Sequence, residues 1–226
     1  MCIPKETIRL LHREPDIYVM DVGILEDRTI FDKALEQVSA YRRKKVLAFR
    51  FSSSRILSLG AGILMEEALS RRGMHENQME YRLGPNEKPY FANAPSLFFN
   101  ASHSGKMAML GISDQEIGCD IEIIGKDNMN IAEHFYHPDE LRYLQMFQDK
   151  EEQKREFYRL WTLKESYVKV TGKGLSEEFS GFCIDCRGEQ IVVRDAGGEK
   201  LPYSFGMLEL EGYAAAWCRC NNNSGV

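Results

Sequence analysis

The chain has 226 residues, 43% hydrophobic and 28% charged, a balance that suits one large or two small globular domains and excludes a disordered, collagenous or low-complexity protein. Its 29 Lys and Arg against 34 Asp and Glu leave a formal charge of −5, which argues against a general grip on nucleic acid or on a membrane surface. An anionic partner would have to be met by a local basic patch. No apolar run reaches transmembrane length and the opening MCIPKETIRLLHREPD lacks a signal-peptide hydrophobic stretch, so the expected location is the cytoplasm, with no membrane and no nucleic-acid partner.

In chain order, residues 5–25 contain IYVMDVGIL, a strand-like apolar stretch between turns. A helix-like stretch between Asp32 and Phe49 carries Arg42, Arg43, Lys44 and Lys45 in a row, either a solvated helix face or a contact for phosphate or an acidic partner. Ser52, Ser53 and Ser54 offer N-caps to a helix whose Ile56, Leu59, Ile63 and Leu64 recur at helical spacing until Arg71, Arg72 and a C-cap Gly73. Gly60 and Gly62 lower its propensity and predict a close backbone neighbour. SLFFNASHS and KMAMLGIS read as strands joined by a Gly-containing turn, and Ser113-Asp114-Gln115 leads into a third, EIGCDIEII. A helix is predicted from Asp149-Lys150-Glu151 to just before Thr171-Gly172, followed by strands at FCIDC, QIVVRD and GYAAAWCRC. Two α+β halves meeting near residue 114 fit this order.

Three local patterns could carry chemistry. In IGCDIEI the period of two places Ile117, Cys119, Ile121 and Ile123 on one face and Asp120 and Glu122 together on the other. Paired carboxylates repel unless a cation compensates, and hard oxygen donors that leave room for water and phosphate suit Mg²⁺; the plain alternative is two solvated acids on an exposed face. In WTLKESYVK, Glu165 and Lys169 are i,i+4 neighbours with Trp161 on the same side, either an ordinary helical ion pair or a third acid and a cation for the same site. In FNASHSG, His103 lies between two serines at a strand end, where imidazole and hydroxyls could contact a phosphate or simply satisfy a loop.

Other patterns lead elsewhere. TGKG at 171–174 is not a phosphate loop, because Tyr167 stands where the first glycine is needed and Gly174 follows Lys173. Cys183, Cys186, Cys218 and Cys220 can be written as a four-thiolate zinc site, but on strands Cys183 and Cys186 would point to opposite faces, and packed thiols are the expectation. His134 and His137 could be drawn as a helical metal pair; a solvent-facing pair before Pro138 is the reading preferred.

Taken in order, NASHSGKMAMLGISDQEIGCDIEII and FYRLWTLKESYVKVTGKGLS resemble the two signature regions of the 4′-phosphopantetheinyl transferases of the larger, surfactin-synthetase type. RRKKVLAFRFSSSRILSLGAGIL and NEKPYF extend the resemblance more weakly, so that it spans about residues 42 to 180. It implies an α+β fold of two similar subdomains related by a pseudo-two-fold, with the active site at their interface, in a monomer. Residues 1–113 would be the N-terminal half with the coenzyme A nucleotide contacts, and 114–226 the C-terminal half with the metal ligands and catalytic helix. Such enzymes move the phosphopantetheine arm of coenzyme A onto a serine of an apo acyl or peptidyl carrier protein and release adenosine 3′,5′-bisphosphate.

By motif position, the resemblance assigns Mg²⁺, or Mn²⁺ in its place, to Asp120, Glu122 and Glu165. It gives Glu165 or a metal-bound water the role of base, and Lys169 that of stabilising or protonating the leaving group. Arg43, Arg55, Lys88, Ser102, His103 and Lys169 become coenzyme A contacts, with Arg50 able to replace one of the two arginines. Carrier proteins are acidic, which makes Arg42 to Lys45 and Lys173 the expected docking patch. Ala101 and Cys119 depart from the usual family residues without removing a ligand. Two rival functions remain at this level: a non-catalytic module binding coenzyme A or a carrier protein, and a metal-dependent phosphohydrolase.

Overall fold

The run IYVMD pairs on both sides to become an inner strand. The computed structural model describes residues 3–84, 87–126, 128–172 and 179–221, and the chain divides into two units, Met1–Gly84 with Pro89–Asp114 and Pro85–Lys88 with Gln115–Val226. The first unit contains, in order, β1 (Ile8–His12), β2 (Asp16–Asp21), α1 (Arg28–Gln37), α2 (Ala40–Ala48), α3 (Ser52–Ser70), β3 (Tyr81–Leu83), β4 (Pro89–Phe91), β5 (Phe98–Ser104) and β6 (Met107–Ser113). Its four-stranded antiparallel sheet has the order β1-β2-β6-β5, and β3 and β4 pair separately.

The helix-like stretch of 32–49 is two helices rather than one. The α1 helix ends at Gln37, and Ser39 then caps α2 by accepting from the Arg42 amide at 3.1 Å. A serine side chain that competes for a backbone donor starts a helix more readily than it continues one. The α3 helix begins at Ser52, but Phe51 occupies its N-cap position without a side-chain bond. The three serines therefore form the first turn instead of capping it. Leu59, Ile63, Leu64 and Met65 pack the helix on the sheet. A Cβ on Gly60 would collide with Val22, and one on Gly62 would lie 2.5 Å from Arg42 Cγ, which accounts for both glycines in this helix.

The second unit contains β7 (Ile117–Ile123), α4 (Met129–Phe135), α5 (Pro138–Gln145), α6 (Lys150–Thr171), β8 (Phe182–Asp185), β9 (Val192–Asp195), β10 (Tyr203–Leu210) and β11 (Tyr213–Cys220). One antiparallel sheet runs β10-β11-β7 and a second pairs β8 with β9. The predicted long helix is α6, with Asp149 accepting from the Glu152 amide at its start and Gly172 in the left-handed region at its end. The sequence reading did not include β10, whose eight residues are all partly exposed apart from the exposed Glu209 and so lack the strict alternation of a half-buried strand. Among the described residues, no helix is long and apolar enough to cross a membrane.

Candidate active site

The strand β7 and the helix α6 meet at glycine. A Cβ on Gly118 would collide with the Ser166 carbonyl oxygen and lie 2.6 Å from the Val170 nitrogen, so the helix backbone rests on the strand. Across the ladder, Ala216 stands opposite Asp120 and Ala214 opposite Glu122. Directly opposed residues share a sheet face, so the helix-facing side carries small residues beside the acids. This close approach brings Glu165 and Lys169, one turn apart on α6, to the acid-bearing face of β7.

Lys169 Nζ donates to Asp120 Oδ1 at 2.6 Å and to the Cys119 carbonyl at 3.2 Å. Asp120 is only 3% exposed, which removes the reading of two solvated acids; Glu122 is half-buried. The opposite face of β7 is core at Ile117, Cys119 and Ile121, as the alternation predicts, but Ile123 is 47% exposed because the strand runs out of the core at its last residue.

The acids act on one another. Burial raises the Glu165 carboxyl above its ordinary value, the Asp120 charge adds to the rise, Lys169 opposes it and Glu122 adds again. For Lys169, burial works against the ammonium, but the Asp120 carboxylate and the hydrogen bond to it prevail and its pKa is raised. The lysine is therefore a cation at neutral pH. By donor chemistry alone the three carboxylates, which offer only hard oxygen, suit a small divalent cation such as Mg²⁺ or Mn²⁺ rather than a soft one, although among the described residues their oxygens do not all lie within 4.8 Å of one another.

Lys88, placed by the sequence in the first half, groups with the second unit. Its Nζ is 2.8 Å from Glu116 Oε2 and 3.5 Å from both the Ile117 and Val170 carbonyls, a cation between the last turn of α6 and the first residue of β7, where the helix dipole favours it. The sequence reading missed Lys164 and Glu140. Lys164 Nζ bonds Glu140 and the Phe182 carbonyl at 3.1 Å, with both side chains of the pair essentially fully buried. A lysine next to Leu163 inside the apolar stripe of α6 was the available signal, since a buried ammonium requires an acid.

The other expected contacts lie in the first unit. Ser102 is half-buried and His103 exposed on β5, an edge strand, and as strand neighbours they point to opposite faces. Arg43 donates to the Leu35 and Glu36 carbonyls at 3.0 and 2.7 Å, closing the end of α1. Arg55 Nε donates to the Phe49 carbonyl at 2.8 Å. Each arginine keeps further donors, since a guanidinium has five.

The expected docking patch needs correction. Arg42 is 6% exposed and locked to the buried Glu76 by two bonds of 3.1 and 2.8 Å, so it does not belong to a surface patch. Arg43, Lys44 and Lys45 remain exposed, and Lys173 lies outside the described residues. The four cysteines of the hypothetical zinc tetrad are free thiols, Cys183 on β8, Cys186 just beyond it, and Cys218 and Cys220 on β11 of a different sheet. Burial raises Cys183 and Cys186 to about 11 and Cys218 well above the ordinary thiol value. Cys183 stands on β8 and Cys186 just past its last residue, Asp185, and both line one small cavity.

Residues 116–218 match the model of the 4′-phosphopantetheinyl transferase superfamily, a span containing Asp120, Glu122, Glu165 and Lys169. The chain is 34% identical to the 4′-phosphopantetheinyl transferase psf-1 of Bacillus pumilus, over 74% of its own length and 72% of the relative's. It is 30% identical to a 4′-phosphopantetheinyl transferase of Bacillus subtilis over 75% and 78%, and 29% identical to 4′-phosphopantetheinyl transferase Sfp of Bacillus subtilis strain 168 over 87% and 90%. The chain belongs to the 4′-phosphopantetheinyl transferases. It is thus a transferase of the coenzyme A-dependent kind that acts on carrier proteins.

Proposed function

We propose that Asp120, Glu122, Glu165 and Lys169 form the centre that moves phosphopantetheine from coenzyme A to a carrier-protein serine. The observation that carries this reading is the Lys169–Asp120 contact beside the raised Glu165 carboxyl. In the transfer, the serine Oγ bonds to the phosphorus on the pantetheine side of the diphosphate. The bond from that phosphorus to the bridging oxygen breaks, and adenosine 3′,5′-bisphosphate leaves with the electron pair. Glu165, as carboxylate, takes the serine proton, and its raised pKa makes it the stronger base. Lys169 holds its proton and faces the negative charge that grows on the leaving oxygen.

Asp120, Glu122 and Glu165 would hold Mg²⁺ or Mn²⁺, which when bound offsets the charge of the diphosphate. Ser102, His103, Arg43 and Arg55 in residues 1–113, together with Lys88, are the proposed contacts to the coenzyme A nucleotide. A monomeric, cytoplasmic protein with an N-terminal half at 1–113 and a C-terminal half at 114–226 completes the reading. The deciding experiment is the intact mass of an apo carrier protein after incubation with this protein, coenzyme A and Mg²⁺, with EDTA and a carrier lacking its serine as controls. A metal-dependent gain of one phosphopantetheine is expected. No gain with coenzyme A bound and intact would indicate a non-catalytic module, and no gain with coenzyme A cleaved a phosphohydrolase.

A further inference from the structure

Away from the acids of β7, a second set of ligand-bearing side chains gathers where α5 begins. A ring nitrogen of His137, a carboxylate oxygen of Asp139 and the Cys183 sulfur all lie within 4.8 Å of one another. His137 is the N-cap of α5, Asp139 its second residue and Cys183 the second residue of β8. The two elements are tied together from beneath. The Glu140 carboxylate accepts from the His137 amide at 3.0 Å, from the Ile184 amide at 2.7 Å and from Lys164 at 2.9 Å, so a buried network sets the spacing of the three donors.

The cysteine is the informative member. Cys183 is 9% exposed, no hydrogen bond reaches its sulfur among the described residues, and it lines a cavity of about 10 Å³ with Cys186, Asp139, Glu140, Asp185 and Arg187, a lining that His137 stands outside. That volume is about the room one water or one small ion needs. The nearby cations are each matched by an acid: Lys164 by Glu140, Arg142 by Asp139 and Arg187 by Asp185. The positive side chains therefore leave no net charge to repel a metal.

We propose that His137, Asp139 and Cys183 form a site for a zinc-class divalent cation, with the Cys186 thiol or a water as fourth ligand. Imidazole, carboxylate and thiolate together suit Zn²⁺, whereas Mg²⁺ and Ca²⁺ take oxygen. Tetrahedral zinc with these ligands places its donors about 3.3–3.8 Å apart. Closing from the observed spacing takes rotation of His137 and Asp139, whose side chains are 26% and 45% exposed. On binding, the Cys183 S–H bond releases its proton to solvent and the sulfur bonds the metal, with no change of oxidation state. The bound ion would clip α5 to β8 and stabilise the second unit.

The test titrates the full metal-free chain with Co²⁺ and follows the thiolate-to-cobalt absorption in the near ultraviolet. One equivalent is expected to bind, to be displaced by Zn²⁺ and to resist a large excess of Mg²⁺, which separates this site from the oxygen-only acids. Cys183→Ala should remove at least half of the absorption, and Cys183→Ala with Cys186→Ala all of it. His137→Asn keeps an N-cap oxygen and should weaken Co²⁺ binding about tenfold or more. Absence of the thiolate band in the unmodified chain, an unchanged band in Cys183→Ala, or unchanged affinity in His137→Asn would each overturn the proposal.

Discussion

Gly118 of β7 and Ser166 of α6 touch backbone to backbone, and that contact brings Glu165 and Lys169 to the acid-bearing face of β7. A methyl group at 118 meets the Ser166 carbonyl and the Val170 nitrogen, neither of which is the free end of a side chain. Gly118→Ala must therefore push α6 away from β7. The expected cost is about 1–3 kcal/mol of stability, read as a lower urea midpoint. Transfer activity should fall beyond what the remaining folded fraction explains, because Lys169 is carried away from Asp120. A variant with full activity and an unchanged midpoint would mean that the helix yields without moving the site.

Lys169 and Asp120 are expected to act as a unit. Lys169→Met removes the cation 2.6 Å from Asp120 Oδ1 and should lower the transfer rate by about 10²–10³, with a smaller change in carrier-protein KM. Asp120→Asn removes both a proposed metal ligand and the charge that holds the lysine protonated. The double variant should lose less than the product of the two single losses, as interacting residues do. Fully multiplicative losses in steady-state kinetics would show that the two act separately.

The sequence made some of this legible for a physical reason. Alternation in IGCDIEI and helical spacing in WTLKESYVK are local rules, and they place Asp120, Glu122, Glu165 and Lys169 on defined faces without knowledge of the fold. What stayed hidden depends on residues far apart in the chain. Arg42 looked like one of four surface cations until Glu76, 34 positions later, paired with it in the core, and nothing local distinguishes it from Arg43. Lys88 reads as part of the first half because sequence position is the only guide, yet its partners are Glu116, Ile117 and Val170. The hydrogen bonds from Arg43 to Leu35 and Glu36 likewise follow from the break between α1 and α2, which the charge run concealed.

Thiol reactivity should separate the cysteines. Cys119 and Cys218 are fully buried, and burial holds the Cys218 thiol protonated, while Cys220 is partly exposed at the end of β11. Since the thiolate is the nucleophile, iodoacetamide at mildly alkaline pH should modify Cys220 well before Cys119 or Cys218. Peptide mass mapping of the folded protein gives the order. Rapid labelling of Cys119 would show that the core face of β7 opens on the time scale of alkylation and would bring thiol sensitivity close to the acids.

The buried pair Lys164–Glu140 tests how the helix that carries Glu165 is held. Glu140 accepts from Lys164, His137 and Ile184, so Glu140→Leu strands an ammonium and two amides in the interior. A loss of about 3–5 kcal/mol is expected, measured by urea denaturation of metal-free protein. Replacing the lysine as well, in Glu140→Leu with Lys164→Met, removes the unpaired charge and should recover a large part of that loss, since a matched apolar pair avoids the desolvation of both ions. The two amides would still lack their acceptor, so recovery should stop short of the parent by about 1–3 kcal/mol for each unsatisfied group. Equal instability of the single and double variants would mean that the lost stability comes from those amides and the packing of α5 on β8, and that the ion pair itself contributes little.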